Sequence, residues 1–146
     1  MRLLHSVDEM RKLGAELAKK FQPGDIIVLQ GDLGAGKTAL AQGIGAGLGI
    51  TGITSPTFVI SRVHEGAIRL NHIDAYRLLG ASQGRIEFDD LDIETKGAIT
   101  IIEWGSDIAS RLDSDYLLIE IEFGDKEDDR TVSFSGHGER WQGFSL

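Results

Sequence analysis

The chain has 146 residues, which suits one domain and suffices to bury a substantial core. Its 15 basic against 23 acidic side chains give a net charge of −8, which argues against nonspecific nucleic-acid binding, since that rests on Lys and Arg neutralising phosphates. With no cysteine there is no disulfide, thiolate nucleophile or cysteine metal site, and no apolar run reaches the ~18 residues of a helical membrane span. The opening MRLLHSVDEM has too short an apolar run for a signal peptide, so a cytoplasmic protein with no membrane role is expected.

Ser6 to Phe21 opens with a capping box, Ser6 and Glu9, and places Met10, Leu13 and Leu17 on one helical face. The QPGD that follows ends it. Asp25 to Gln30 (DIIVLQ) is an apolar, β-branched run suited to a strand buried on both faces of a sheet. GDLGAGKT (Gly31 to Thr38) comes next, and KTALAQGIGAGLGI reads as a helix whose glycine-rich end frays. TFVISRVH and AIRLNHIDAY are strand-like and separated only by Glu65 and Gly66. So short a link predicts an antiparallel hairpin, because a parallel crossover needs about a dozen residues. Ala98 to Gly105 (AITIIEWG) is a further buried strand. Ile119, Ile121 and Phe123 alternate with Glu120 and Glu122; after GDKEDD, Val132 and Phe134 alternate with Ser133 and Ser135. These predict a second hairpin with one wet face. No repeat or long linker divides the chain, so residues 1–146 are read as one α/β domain with a mixed parallel and antiparallel sheet.

GDLGAGKT matches G-x-x-x-x-G-K-[ST], a loop that wraps nucleotide phosphates, and it has the strand before and helix after that such a loop requires. Leu33, Gly34, Ala35, Gly36, Lys37, Thr38 and Ala39 are therefore the candidate nucleotide-binding residues. Gly31, Gly34 and Gly36 let the backbone turn tightly, and the amides of Gly34 to Ala39 point inward at the helix N-terminus, a favourable place for anions. Lys37 would reach the β- and γ-phosphates and the Thr38 hydroxyl would ligate Mg²⁺. No Asp in the chain has Gly three residues on, and the nearest approach to a guanine-reading N-K-x-D is Asp125 to Asp128 (DKED), which lacks the Asn. ATP is thereby favoured over GTP.

Asp74 ends LNHIDAY and Glu103 ends AITIIEW. Each follows an apolar strand, where a lone carboxylate is costly without a partner such as a metal. The plain alternative is a strand-end carboxylate capping backbone amides. His72 shares a strand face with Asp74 and reads as hydrogen-bonded structure rather than as a catalytic group. In Thr54 to Phe58 (TSPTF), Pro56 keeps Ser55 extended; its hydroxyls either face the γ-phosphate or belong to a loop entering a strand. Trp104 packs near the nucleotide or fills the core, and EFDDLDIE is a solvated face or a dock for a basic partner.

GDLGAGKT, TSPTF, HIDAYRL and IIEW, in that order within one small chain, resemble the bacterial TsaE family of small P-loop ATPases required for making threonylcarbamoyladenosine in tRNA. The resemblance spans roughly Ser6 to Trp104 and implies a three-layer P-loop NTPase-like domain. It also implies that Thr38 and Glu103 hold Mg²⁺, that Asp74 serves hydrolysis alongside Lys37 and Glu103, and that Ser55, Pro56 and Thr57 form a switch-like loop. Arg130 resembles an arginine near the nucleotide. The implied partners are a threonylcarbamoyl transferase, TsaD, and its companion TsaB, with ATP binding and hydrolysis supporting repeated turnover by that enzyme; tRNA is reached only indirectly. The chain departs from the pattern at Ala39, where a second Thr is common, at Gly105, where many relatives have Pro, and at Met10, where Thr is frequent. The last departure bears on the adenine-side contacts.

Two other functions share the loop. A small-molecule kinase would carry an arginine-rich lid to clamp the phosphates, but Arg62, Arg69, Arg77 and Arg85 are scattered. A nucleotide-sensing module would bind ATP only to order a partner surface. Glu103 together with Asp74 favours hydrolysis.

Overall fold

The computed structural model describes residues 1–32, 34–50, 61–64, 68–74, 97–103 and 115–145. In chain order these form β1 (Arg2–Leu4), α1 (Val7–Ala18), β2 (Ile26–Gln30), α2 (Lys37–Gly47), β3 (Ser61–His64), β4 (Arg69–Asp74), β5 (Ala98–Glu103), β6 (Tyr116–Phe123) and β7 (Arg130–His137), with a 3-10 turn at Glu139–Trp141. The strands make one sheet in the order β1-β7-β6-β2-β5-β4-β3. β2 runs parallel to both neighbours, β5 and β6, and β4 runs parallel to β5. The pairs β3–β4, β6–β7 and β1–β7 are antiparallel. Both hairpins legible in the sequence are present, and they are what makes the sheet mixed. The part of the first hairpin preceding Ser61 lies outside the described residues.

Alternation along β2 divides two dry faces. Ile27 and Leu29 pack with Met10, Leu13 and Leu17 of α1 and with Leu40, Ala41 and Ile44 of α2 in one core. Ile26 and Val28, with Ile73 and Ile102, point to the other face and are also fully buried. A strand apolar on both faces is what a central parallel position demands. Each fully buried Leu or Ile contributes roughly 1.5–3 kcal/mol of transfer free energy. Among the described residues no helix is long and apolar enough to cross a membrane.

The capping box at the start of α1 forms with a shift. Glu9 donates its amide to the Ser6 hydroxyl at 3.1 Å, and the Glu9 carboxylate accepts from the amide of His5, one residue before the expected Ser6. Helix α2 is present where the sequence places a helix and ends within the glycine-rich stretch. It holds its geometry through Gly47, and the Leu48 amide still donates to the Ile44 carbonyl at 3.1 Å. Its glycines are the surface on which the two helices meet. A Cβ on Gly43 would stand 2.1 Å from the Arg11 carbonyl oxygen, and one on Gly14 would stand 2.6 Å from that of Leu40. The close contact offsets the ~1 kcal/mol that each glycine costs a helix.

Two ion pairs fasten the ends of the chain. Arg140 donates from Nε and Nη2 to the two carboxylate oxygens of buried Asp25, at 2.9 and 3.0 Å, which secures the C-terminal turn beneath β2. His5 and Asp129 pair at 2.8 Å and join the entry of α1 to the β6–β7 turn. The hydrogen bond to Asp129, and then its charge, raise the His5 pKa, while the bond from His5 lowers that of Asp129. The sign follows for each group. The His5 contribution to stability is lost as pH rises through its raised value, and the Asp129 contribution is lost as pH falls through its lowered value, so the tie is strongest between the two.

Gly43→Leu should drive the helices apart at a cost of about 3 kcal/mol or more, lowering Tm by on the order of 10 °C, whereas Gly97→Ala, whose Cβ would meet nothing within 4 Å, should leave Tm nearly unchanged in the same thermal melts. An NMR titration should find His5 above the ordinary histidine value of about 6.5, and Asp129→Asn should bring it back toward that value.

Candidate functional site

β2 ends at Gln30, and the chain turns at once into the loop and then α2, so the loop stands at the C-terminal edge of the parallel strands. There β2 lies between β5 and β6, and in open α/β sheets such an edge is the usual ligand crevice. Gly34 (φ 82°) and Gly36 (φ 118°) occupy the left-handed region that other residues rarely enter. Gly31 serves a different need from the one its place in the motif suggests: a Cβ there would stand 2.7 Å from the Ile121 carbonyl oxygen, so it lets the loop press against β6. No side chain caps α2, whose first amides have no intrahelical acceptor, and no acidic residue stands in its first turn. Of the inward-pointing amides expected from the sequence, that of Ala35 instead closes a turn onto the Asp32 carbonyl at 3.0 Å.

Lys37 is buried, and its Nζ donates to the carbonyls of Gly31 (2.5 Å) and Asp32 (3.1 Å). These two carbonyls fix the ammonium at the foot of the loop, directly before the first turn of α2. Thr38 and Ala39 follow in the first turn of α2, both half-buried. Arg130, at the first position of β7, donates from Nε to the Ala35 carbonyl at 3.0 Å and from Nη1 to those of Glu127 (2.7 Å) and Asp129 (2.9 Å). Its guanidinium lies 4.6 Å from the centre of the Phe123 ring. Arg130 thus braces the loop from the hairpin, a role its sequence position alone does not reveal.

Two hollows flank the loop. A small cleft of about 60 Å³ is bounded by Val7 and Met10 of α1, by Gly34 to Gly36 and Ala39, and by Asp128 and Arg130. Met10 is itself buried, with its Cε 3.1 Å from where a Gly36 Cβ would be. A larger hollow of about 440 Å³ opens between the loop and β6, but Asp32, Glu120 and Glu122 line it and would repel phosphate. The smaller cleft lies beside the helix start, with Val7 and Met10 as its apolar wall and Asp128 and Arg130 as its charged one.

Glu103 closes β5 at the same edge, in register with Leu29 of β2 and Asp74 of β4. It is 4% exposed, and its Oε2 lies 2.5 Å from Nε2 of the fully buried His72. The expectation that His72 is hydrogen-bonded structure holds, but its partner is Glu103, one strand away, which no local pattern in the sequence could indicate. Asp74 is positioned by its backbone alone, opposite Glu103; its side chain lies outside the described residues, as do Leu33, Ser55, Pro56, Thr57 and Trp104. The structure therefore brings Gly34 to Ala39, Arg130 and Glu103 to one edge of the sheet.

The residues present fit a nucleotide with a magnesium ion. Among the described residues no three His, Asp or Glu side chains gather to hold a metal by themselves. Mg²⁺ commonly takes one or two protein oxygens together with phosphate and water, and one buried carboxylate near a helix-start hydroxyl meets that requirement.

The chain matches the model of a family described as "Threonylcarbamoyl adenosine biosynthesis protein TsaE" over residues 4–132. It is 45% identical over 139 residues to the tRNA threonylcarbamoyladenosine biosynthesis protein TsaE of Streptomyces coelicolor, covering 90% of this chain and 93% of that relative. It is 37% identical over 136 residues to the protein of the same name from Bacillus subtilis, covering 90% and 80%. The crystal structure of Bacillus subtilis YdiB superposes with a TM-score of 0.77 at 29% identity, over 97% of this chain and 87% of that one. With the loop, the mixed sheet and most of its length matched, the chain belongs to the TsaE family.

Proposed function

We propose that this protein is a cytoplasmic, Mg²⁺-dependent ATPase that serves threonylcarbamoyladenosine formation in tRNA and acts through protein partners. The observation that carries the reading is the buried Lys37 at the uncapped start of α2, with a second buried charge, Glu103, at the end of a strand paired directly to β2. The family's role in threonylcarbamoyladenosine biosynthesis supports the pathway, and the sheet edge supports nucleotide binding.

In this reading the triphosphate lies along the loop. The helix-start amides and Lys37 take the phosphate charge, and the base enters the cleft beside Val7 and Met10. Arg130 keeps the loop in shape through the Ala35 carbonyl. Thr38 and Glu103 would hold Mg²⁺, which would supply neutralisation of the charge developing on the β- and γ-phosphate oxygens. Asp74 orients the water whose oxygen attacks the γ-phosphorus as the bond to the bridging oxygen breaks and ADP departs. The partners expected are a TsaD-like threonylcarbamoyl transferase and a TsaB-like companion, whose docking would raise a slow intrinsic turnover; tRNA contacts them rather than this acidic chain.

Steady-state ATP turnover should be slow for the protein alone, should rise when purified TsaD and TsaB are added, and should vanish in Lys37→Ala. Turnover indifferent to those partners but dependent on a small-molecule acceptor would point to a kinase instead, and ATP binding without turnover in either condition would point to a sensing module. Arg130→Gln removes a charged hydrogen bond of about 1.5–3 kcal/mol, so calorimetry should find ATP bound at least about tenfold more weakly.

A further inference from the structure

We propose that His72 is a positioning residue for Glu103: by holding Oε2 it aims Oε1 at the magnesium ion. The inference rests on the reading of Glu103 as a metal-holding carboxylate and adds the group that makes it one.

The geometry is specific. His72 is fully buried on β4 opposite Ile101, two positions before Glu103 on the adjacent β5, so a diagonal across one parallel pair brings Nε2 within 2.5 Å of Oε2. His72 Nδ1 is buried without a hydrogen-bond partner. A proton on Nδ1 would be an unsatisfied buried donor, so the ring proton sits on Nε2 and is donated to the carboxylate. Glu103 then receives one hydrogen bond from the neutral ring, and among the described residues none reaches Oε1. With Oε2 held by the ring, Oε1 is the oxygen left open to a cation. Fixing one oxygen also removes rotation about the last Glu103 torsion, which would otherwise have to be frozen when the ion binds.

If His72 acts this way, its loss is felt only where the ion takes part. Outer-shell partners of metal ligands are typically worth about 10- to 100-fold in metal affinity. Calorimetric binding of a non-hydrolysable ATP analogue, in chelator and then over a range of MgCl₂ concentrations, should give His72→Leu an unchanged affinity in chelator. The Mg²⁺ concentration for half-maximal tightening should rise by about 10- to 100-fold. His72→Gln, which keeps a donor near the Nε2 position, should recover most of the shift, and His72→Asn, one methylene shorter, should not. That Gln and Asn comparison decides the matter even if His72→Leu fails to fold. Equal weakening with and without Mg²⁺, or no difference between Gln and Asn, would make His72 a core residue only and overturn the proposal. Glu103→Gln separates the two levels. If it leaves the Mg²⁺ dependence unchanged, the metal reading of Glu103 falls and this one with it; if it shifts the dependence while the His72 variants do not, the His72 proposal falls alone.

Discussion

The parallel pairing of β2 with both β5 and β6 is the constraint on which the site depends. Parallel neighbours end at the same edge of a sheet, so whatever follows β2 must emerge beside the last residues of β5 and β6. The loop, the start of α2 and Glu103 meet there for that reason alone. Pairing on both sides sets the register, with Leu29 opposite Glu103 of β5 and Ile119 of β6.

Among the described residues of this acidic protein, charged side chains are buried at few positions. Lys37 rests on carbonyls, Glu103 on a neutral imidazole, and Asp25 on the two nitrogens of Arg140. Asp25, paired with an opposite charge, has a purely structural place beneath β2, whereas Lys37 and Glu103 stand at the edge where the loop emerges. The hairpin at Arg130 and the close-packed helices both fix the loop, the first by a hydrogen bond to Ala35 and the second by Met10 against Gly36.

Local signals in the sequence were enough for the elements whose cause is local. Alternation in Ile119 to Phe134 gave a two-sided hairpin, the two-residue link at Glu65 and Gly66 gave antiparallel pairing, and the unbroken DIIVLQ run gave a central strand. The glycine-rich stretch after the loop is a helix, as read, but its packing role was not legible, because a glycine that weakens a helix and a glycine that admits another helix look alike until the second helix is in place.

The sequence by itself determined the loop, the helices and strands from α1 to β7 in their order, the mixed sheet and the two strand-end acids, since each follows from spacing within a few residues, whereas the short edge strand β1 was not legible. Family membership was likewise legible, in four short motifs and their order. Arg130 bracing Ala35 across 95 positions, His72 holding Glu103 across 31 and Gly43 lying against Arg11 emerged only on folding. These contacts join residues remote in the chain, and their geometry is fixed by strand register and helix approach, which are properties of the packed sheet together with α1 and α2.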